Sequence, residues 1–331
     1  MGRLIGIIVL LASLIIGWQW MGYRTFLETP LQVPEEGLLL EVKKGSNLRQ
    51  IGRRLQAEGV LGNAELLYWH ARWHKMAERI RAGEFLIPKG TTPPGLLEIL
   101  VSGKTVSYRL TLVEGWNFRQ VLKAVANDPV LDHKLDYSIP ADVMNQLGFP
   151  EIHPEGRFFP DTYVFPRGTT DVDFLKRAYQ RMQRELAEAW SERSEDIQVK
   201  TAEEALILAS IVEKETGVPE ERGRIAGVFD RRLKRGMKLQ TDPTVIYGMG
   251  ERYKGNIRRR DLREDTPYNT YVHKGLPPTP ICMPGREAID AALHPAEGRA
   301  IYFVANGDGS HVFSETLKQH NAAVRKYQLG Q

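Results

Sequence analysis

The sequence predicts an α+β protein carried on a single N-terminal transmembrane helix. Three observations predict this. Residues 4–21 form an apolar run interrupted only by Ser13 and Gln19. Two strand-like stretches, residues 38–42 and 85–87, flank two helical periods in a β-α-α-β order. Beyond Thr201, two helices, a Gly/Pro-rich loop region and short strands follow one another without the regular alternation of a parallel α/β sheet. At 331 residues and 42% hydrophobic content, the chain is long enough for two domains with cores of their own.

As a helix, the apolar run would rise roughly 27 Å, close to the hydrocarbon thickness of a bilayer. Trp18, Trp20 and Tyr23 stand where an aromatic belt would lie. The run is longer than the apolar part of a usual signal peptide, and residues 17–24 contain no small-x-small cleavage site, so a retained signal anchor is expected. Arg3 and the terminal amine favour a cytoplasmic N-terminus, although Arg24 on the far side weakens the asymmetry. Residues 1–23 are thus the cytoplasmic tip and anchor, with the rest of the chain outside the cytoplasm. The formal charge of +4 suits an anionic polymer or lipid surface but discriminates weakly. Cys282, the single cysteine, excludes an intramolecular disulfide and any Cys-rich zinc site.

Residues 24–37 carry Pro30, Pro34 and paired acids without apolar periodicity, and read as a tether. In the next unit, Leu48, Ile51 and Leu55 mark a helix ending at Gly59, and Asn63 caps a second helix running to about Ile80. With Lys44-Gly45-Ser46 at its first strand-to-helix turn, this unit resembles a LysM-type glycan-binding module. Gly45-x-Asn47-x-Arg49-Gln50 recurs as Gly115-x-Asn117-x-Arg119-Gln120, each time between a strand and a helix. Turn and capping chemistry used twice is the simpler explanation. The LysM-like module and its related repeat are assigned residues 38–128. Trp69 and Trp73, four apart on one helix face, could stack on sugar rings but are assigned to the core. His70 and His74 have the spacing of a zinc pair but lack the accompanying glutamate, and neither metal nor cofactor is expected. No phosphate-binding glycine loop, serine nucleophile elbow or nucleotide fingerprint appears, so those enzyme classes have no support, and no nucleic-acid partner is expected.

Residues 129–331 are assigned to a mixed α+β catalytic domain. After a polar stretch, residues 155–165 read as a turn and an aromatic strand. Residues 174–190 then form an amphipathic helix with Leu175, Ala178, Met182 and Leu186 inward. Residues 191–199 are a charged break, and strands are expected near residues 301–304 and 311–313. The stretch from Thr201 to Gly217 carries the most chemical information. Thr201 and Glu204 spell a capping box, residues 205–212 are apolar on nearly every side, and Gly217 offers a C-terminal stop. Glu213 and Glu215 therefore sit in the last turn of a buried helix, where the helix dipole and desolvation both raise a carboxyl pKa. Two residues apart, they point about 200° from each other, so only one can face a given cleft. The residues alone do not choose between them, and a solvated charged helix end fits the same letters.

Six separated strings carry a family resemblance. They are EGRFFPDTYVF from Glu155, IVEKETG from Ile211, LQTDPTVIYGMG from Leu239, PYNTY from Pro267, GLPPTPI from Gly275 and GDGSHVFS from Gly307. Together they resemble the endolytic murein transglycosylase (YceG-like) family. Thr279 stands where the family pattern has glycine, and Met283 replaces a commonly polar neighbour of Pro284-Gly285. The resemblance implies that Glu215 is the catalytic acid/base, with Glu213 in a supporting role. The substrate would be peptidoglycan glycan strands, cut between N-acetylmuramic acid and N-acetylglucosamine to leave 1,6-anhydromuramic acid ends. It also implies an inner-membrane enzyme with a periplasmic catalytic domain, acting on nascent strands near peptidoglycan synthases (penicillin-binding proteins) to terminate elongation.

Gln240, Thr241, Asp242, Asn269 and Tyr271 are polar or aromatic loop residues expected to bind substrate. Asx turns at Asp242 and Asn269 are a near-equal alternative. His311 could orient a carboxylate, but an ordinary strand histidine is the preferred reading. Two further functions stand beside the first: a two-carboxylate muramidase with Asp242 as partner, and a non-catalytic glycan-binding scaffold.

Overall fold

With no proline and only Ser13 and Gln19 interrupting its apolar stretch, the N-terminal segment forms one helix, α1 (Gly2–Glu28). The computed structural model describes residues 2–329, so Met1 at the tip of the expected anchor lies outside them. Within α1, residues Ile5–Glu28 are long and apolar enough to cross a membrane. The chain divides into two compact units, Met1–Tyr108 with Val164–Gly168, and Arg109–Tyr163 with Thr169–Gln331.

The first unit realises the β-α-α-β order. β1 (Leu38–Val42) leads to α2 (Leu48–Ala57), α3 (Ala64–Trp73), β2 (Gly83–Ile87) and α4 (Pro93–Ser102). β1 and β2 pair antiparallel, with Leu40 opposite Phe85 and Leu38 opposite Ile87. Their inward residues Leu40, Val42, Phe85 and Ile87 join Leu48, Ile51, Leu55, Leu67, Leu96 and Leu100 in one core. Phe26 from the last turns of α1 packs against that core. The buried carboxylate of Glu84 accepts hydrogen bonds from the Tyr108 hydroxyl and, at 3.0 Å, from Arg167 Nε, so the short return of residues 164–168 satisfies a charge that burial would otherwise penalise.

Two expectations for α3 are corrected here. The helix ends at Trp73 rather than near Ile80, because His74 caps it and Lys75 turns back with φ +56°. Trp69 and Trp73 are exposed, at 59% and 76%, rather than buried. Ala64, Leu67, His70 and Ala71 supply the inward face instead, a stripe of smaller residues that lets α2 and α3 approach closely: a Cβ on Gly52 would meet Ala64 Cβ at 3.3 Å.

β3 (Ser107–Thr111) pairs with β4 (Thr162–Pro166), and the division between units passes through both strands. Between them come α5 (Phe118–Ala126) and the short α6 (Val143–Gln146). The structure gives the recurring Gly-x-Asn string a purely local meaning. Gly45 and Gly115 turn at φ +86° and +74°, a region that favours glycine, and Asn47–Gln50 and Asn117–Gln120 each form a reciprocal capping box.

The second unit is built around α8 (Ala202–Glu215), preceded by the amphipathic α7 (Asp171–Ser191) and followed by α9 (Pro219–Lys234) and α10 (Asp242–Met249). All of residues 205–212 are buried. Leu206, Leu208, Ile211 and Val212 pack with Met182 and Leu186 of α7, Ile225 and Phe229 of α9, and Ile289 and Leu293 of α11 (Arg286–Leu293). β5 (Tyr302–Ala305) and β6 (His311–Ser314) form an antiparallel hairpin, and α12 (Leu317–Gln328) packs on it. The α+β class is as expected, but α10, α11 and α12 are additions to the two helices expected after Thr201.

The ends of α8 also differ in detail. Thr201 caps the Glu204 amide at 3.1 Å, but Glu204 reaches back to the Lys200 amide rather than completing the box. The helix stops because Thr216 is extended, at φ −144°, and no left-handed glycine cap forms at Gly217.

Candidate active site

The last turn of α8 separates its two carboxylates. Glu213 Oε2 accepts the Gly285 amide at 3.0 Å, tying the helix to the start of α11, and burial raises its pKa. Glu215 instead lines a cleft of about 550 Å³ together with Arg232, Gln240, Asp242, Tyr271 and His311. Burial raises the Glu215 carboxyl to about 7. The negative charge of Asp242 pushes the same way, while the hydroxyl of Thr241, His311 and Arg232 pull it down. A carboxyl near 7 is about half protonated at neutral pH and can both give and take a proton.

The loop before α10 is fixed by threonines. Thr241 is buried, its hydroxyl donates to Glu215 Oε1, and its amide donates to Thr270 Oγ1 at 3.1 Å. Thr244 Oγ1 donates to the Thr241 carbonyl at 2.8 Å and lies 2.9 Å from Thr270 Oγ1. Just ahead, Gln240 adopts φ +51°, an uncommon conformation for a side-chain-bearing residue, with its amide bonded to the Thr270 carbonyl at 3.1 Å. The result places the Gln240 side chain on the cleft wall and the Thr241 hydroxyl behind Glu215.

Asp242 and Tyr271 face the same space and are joined by a 2.7 Å hydrogen bond from the Tyr271 hydroxyl to Asp242 Oδ1. Asn269 does not reach the cleft. It is buried, its Nδ2 donates to the carbonyls of Asp261 and Glu264, and its Oδ1 accepts the Tyr271 amide at 3.0 Å. Its polar atoms are thus spent on the loop that presents Tyr271, the Asx-turn alternative of the sequence.

Three contributors stand outside the expected site residues. Arg232 is buried, with Nε donating to the Ile301 carbonyl at 2.7 Å and Nη1 to that of Leu239 at 2.6 Å. It therefore fixes β5 and the Gln240 loop while lending positive potential to the cleft. His311 is no ordinary strand histidine: its Nδ1 lies 2.7 Å from Glu221 Oε2, and its amide donates to Glu221 Oε1 at 2.8 Å. Buried Glu221 thereby fixes the ring's orientation at the cleft. The remaining wall comes from β5 and α12, including Tyr302, His320 and Asn321. The i, i+1 neighbours Arg231 and Arg232 gave no periodic signal separating a buried guanidinium from a surface one.

Comparison with known proteins agrees with this architecture. The YceG-like family model matches residues 40–326. The chain belongs to the YceG-like family. An endolytic murein transglycosylase of Bacillus subtilis (strain 168) is 31% identical over 331 residues, covering 95% of this chain and 91% of that protein. Another, of Streptococcus pneumoniae serotype 2 (strain D39 / NCTC 7466), is 26% identical over 363 residues. That match takes in 98% of this chain but only 64% of the pneumococcal protein, so this chain spans less than two thirds of its length. Among solved structures, a YceG-like protein from Listeria monocytogenes is similar with a TM-score of 0.54 and 30% identity, over 87% of this chain and 99% of that one. The family assignment thus covers both units, and the cleft around Glu215 lies within the matched residues.

Proposed function

We propose that this YceG-like protein is an endolytic murein transglycosylase, with Glu215 as its single acid/base. The observation that carries the reading is a carboxyl raised to about 7 by burial, at the end of a helix whose residues 205–212 are all buried, and open to a cleft. Protonated Glu215 gives its proton to the glycosidic oxygen between N-acetylmuramic acid and N-acetylglucosamine as the bond to the muramic C1 breaks. As carboxylate it then takes the proton of the muramic C6 hydroxyl, which attacks C1 and closes a 1,6-anhydro ring. The charge of the carboxylate state is supported by the Thr241 hydroxyl and the potential of Arg232 and His311. Intramolecular attack is favoured over capture of free water because the nucleophile is already positioned. Gln240, Asp242 and Tyr271 are the substrate-binding candidates, and Asn269 contributes by holding Tyr271.

The first unit is the LysM-like glycan-holding module. α1 anchors the enzyme in the inner membrane with its N-terminus cytoplasmic and the catalytic unit periplasmic, where it would meet nascent strands beside the synthases and terminate their elongation. The domain plan of the sequence, with the anchor at residues 1–23, tether at 24–37, LysM-like region at 38–128 and catalytic region at 129–331, belongs to the same proposal.

Asp242 at the same cleft favours one alternative, a two-carboxylate muramidase that captures water. Mass spectrometry of products from the full-length protein and glycan strands decides between them. Internal fragments with anhydromuramic ends, absent with Glu215→Gln, are expected. Reducing muramic ends would establish hydrolysis, and binding without cleavage by either protein would establish the scaffold.

A further inference from the structure

Trp69 and Trp73 are unexplained by the catalytic proposal. Two tryptophans exposed at 59% and 76%, four residues apart on α3, put a large apolar surface in contact with solvent. Their position is tied to α1. The Tyr23 hydroxyl and His70 Nδ1 share a 2.6 Å hydrogen bond, and the Tyr23 and His70 rings lie 6.0 Å apart between centroids. Phe26, one turn further along α1, packs against the core of the first unit. His70 precedes Trp73 by one turn and directly follows Trp69. Thus the end of the apolar helix, where Trp20 and Tyr23 have ring centroids 5.9 Å apart, is held against the helix that carries the exposed pair.

The charge along the segment that leaves α3 is mostly positive, and Glu65 at the start of α3 is paired with Arg49 and Arg53. Arg72, Lys75, Arg79 and Arg81 are exposed along the segment that leaves α3, with Glu78 as the single acid among residues 72–81. Indole rings whose edges are polar and whose faces are apolar favour the headgroup level of a bilayer, and neighbouring cations are drawn to anionic headgroups.

We propose that α3 is a second membrane contact, with Trp69 and Trp73 seated in the headgroup–acyl boundary of the bilayer surface from which α1 emerges. The inference rests on the reading that α1 spans the membrane. It gives the first unit a fixed footing on the lipid instead of free rotation about a single helix, since two points of attachment define an orientation that one does not.

Tryptophan fluorescence of the full chain tests this in phosphatidylcholine/phosphatidylglycerol vesicles carrying a lipid brominated near the headgroup. Wild type is compared with a Trp69→Phe/Trp73→Phe variant and a Trp18→Phe/Trp20→Phe variant. Removing Trp69 and Trp73 should lower the lipid-quenched intensity to about half, because they are two of the four tryptophans expected at the bilayer boundary. If their emission is quenched by aqueous iodide and not by the bromolipid, while that of Trp18 and Trp20 still responds to lipid, the proposal is overturned with the span intact. Shielding of Trp69 and Trp73 from iodide by soluble glycan strands, and not by vesicles, would assign the face to sugar and also overturn it. Lipid quenching that survives unchanged without Trp18 and Trp20, and without Trp69 and Trp73, would overturn the span and this contact together. A Trp69→Tyr/Trp73→Tyr variant, with thermal unfolding followed by circular dichroism, separates loss of lipid contact from loss of fold.

Discussion

The Thr241 hydroxyl donates a hydrogen bond to Glu215 Oε1 from a position where its own backbone is held by Thr270. The donor lowers the Glu215 pKa against the larger effect of burial. Thr241→Val keeps the shape and removes the donor, so the carboxyl should hold its proton to higher pH and the alkaline limb of kcat/KM should move upward. The carboxylate that forms as Glu215 gives up its proton loses that stabilising donor, so the acid becomes a poorer proton donor and the plateau rate should fall about tenfold. A pH–rate profile in which only the amplitude changes would contradict the electrostatic role.

Glu215→Gln should lower cleavage by about 10²–10⁴-fold, the usual contribution of a general acid/base. Stability should respond in the opposite direction. The folded-state pKa of about 7 lies above the ordinary 4.5, so the fold holds this proton more tightly than the unfolded chain does. Stability associated with Glu215 is therefore greatest below pH 4.5 and lost as pH rises through about 7. Glu215→Gln should gain on the order of 1–2 kcal/mol relative to wild type at pH 8 and nothing at pH 4.5. Denaturant titrations at the two pH values check the sign.

Glu213 predicts the reverse pattern. Glu213→Ala leaves the Gly285 amide without its acceptor and should cost about 1–2 kcal/mol of stability, while product formation stays within about tenfold of wild type. Glu213→Gln, which keeps a carbonyl oxygen in place, should restore most of the melting temperature. Loss of cleavage equal to that of Glu215→Gln in a fully folded Glu213→Gln protein would place the chemistry on the wrong carboxylate.

Glu221→Ala should release His311 from the orientation that its two contacts enforce. Cleavage is expected to fall about tenfold, with the larger change in kcat, since Glu221 acts through His311 rather than on substrate. Nitrogen NMR of the His311 ring reads the same event directly: the Nδ1 signal should lose its hydrogen-bonded character in the variant and keep it in wild type. An unchanged imidazole spectrum would remove Glu221 from this role.

Local chemistry was the legible part of this chain. The repeated Gly-x-Asn-x-Arg-Gln string signalled turn and capping chemistry, which the structure realises as a reciprocal box at each copy, and Leu175, Ala178, Met182 and Leu186 point inward along α7 as their spacing requires. The two-residue offset of Glu213 and Glu215 also foretold that one cleft could not contain both. What failed were choices made by distant partners. Trp69 and Trp73 have core-like spacing, yet the stripe of Ala64, Leu67 and Ala71 on another face fits the closer packing. Asn269 and Asp242 are equally polar loop residues, but backbone carbonyls eight and five residues upstream consume Asn269. His311 and Arg232 enter the site through contacts 90 and 69 residues apart in sequence, which no local pattern encodes.

The return of Val164–Gly168 to the first unit has a practical consequence. Because Arg167 comes from beyond the second unit's opening residues to meet Glu84, no single break in the chain separates the two units cleanly. A fragment ending at Tyr108 would keep a buried carboxylate and lose its guanidinium, so it should be expressed only with Glu84 replaced or the five-residue segment grafted back. For the same reason this chain's two units are poor candidates for exchange with another protein by one crossover, since the first unit is made of two separate stretches of sequence.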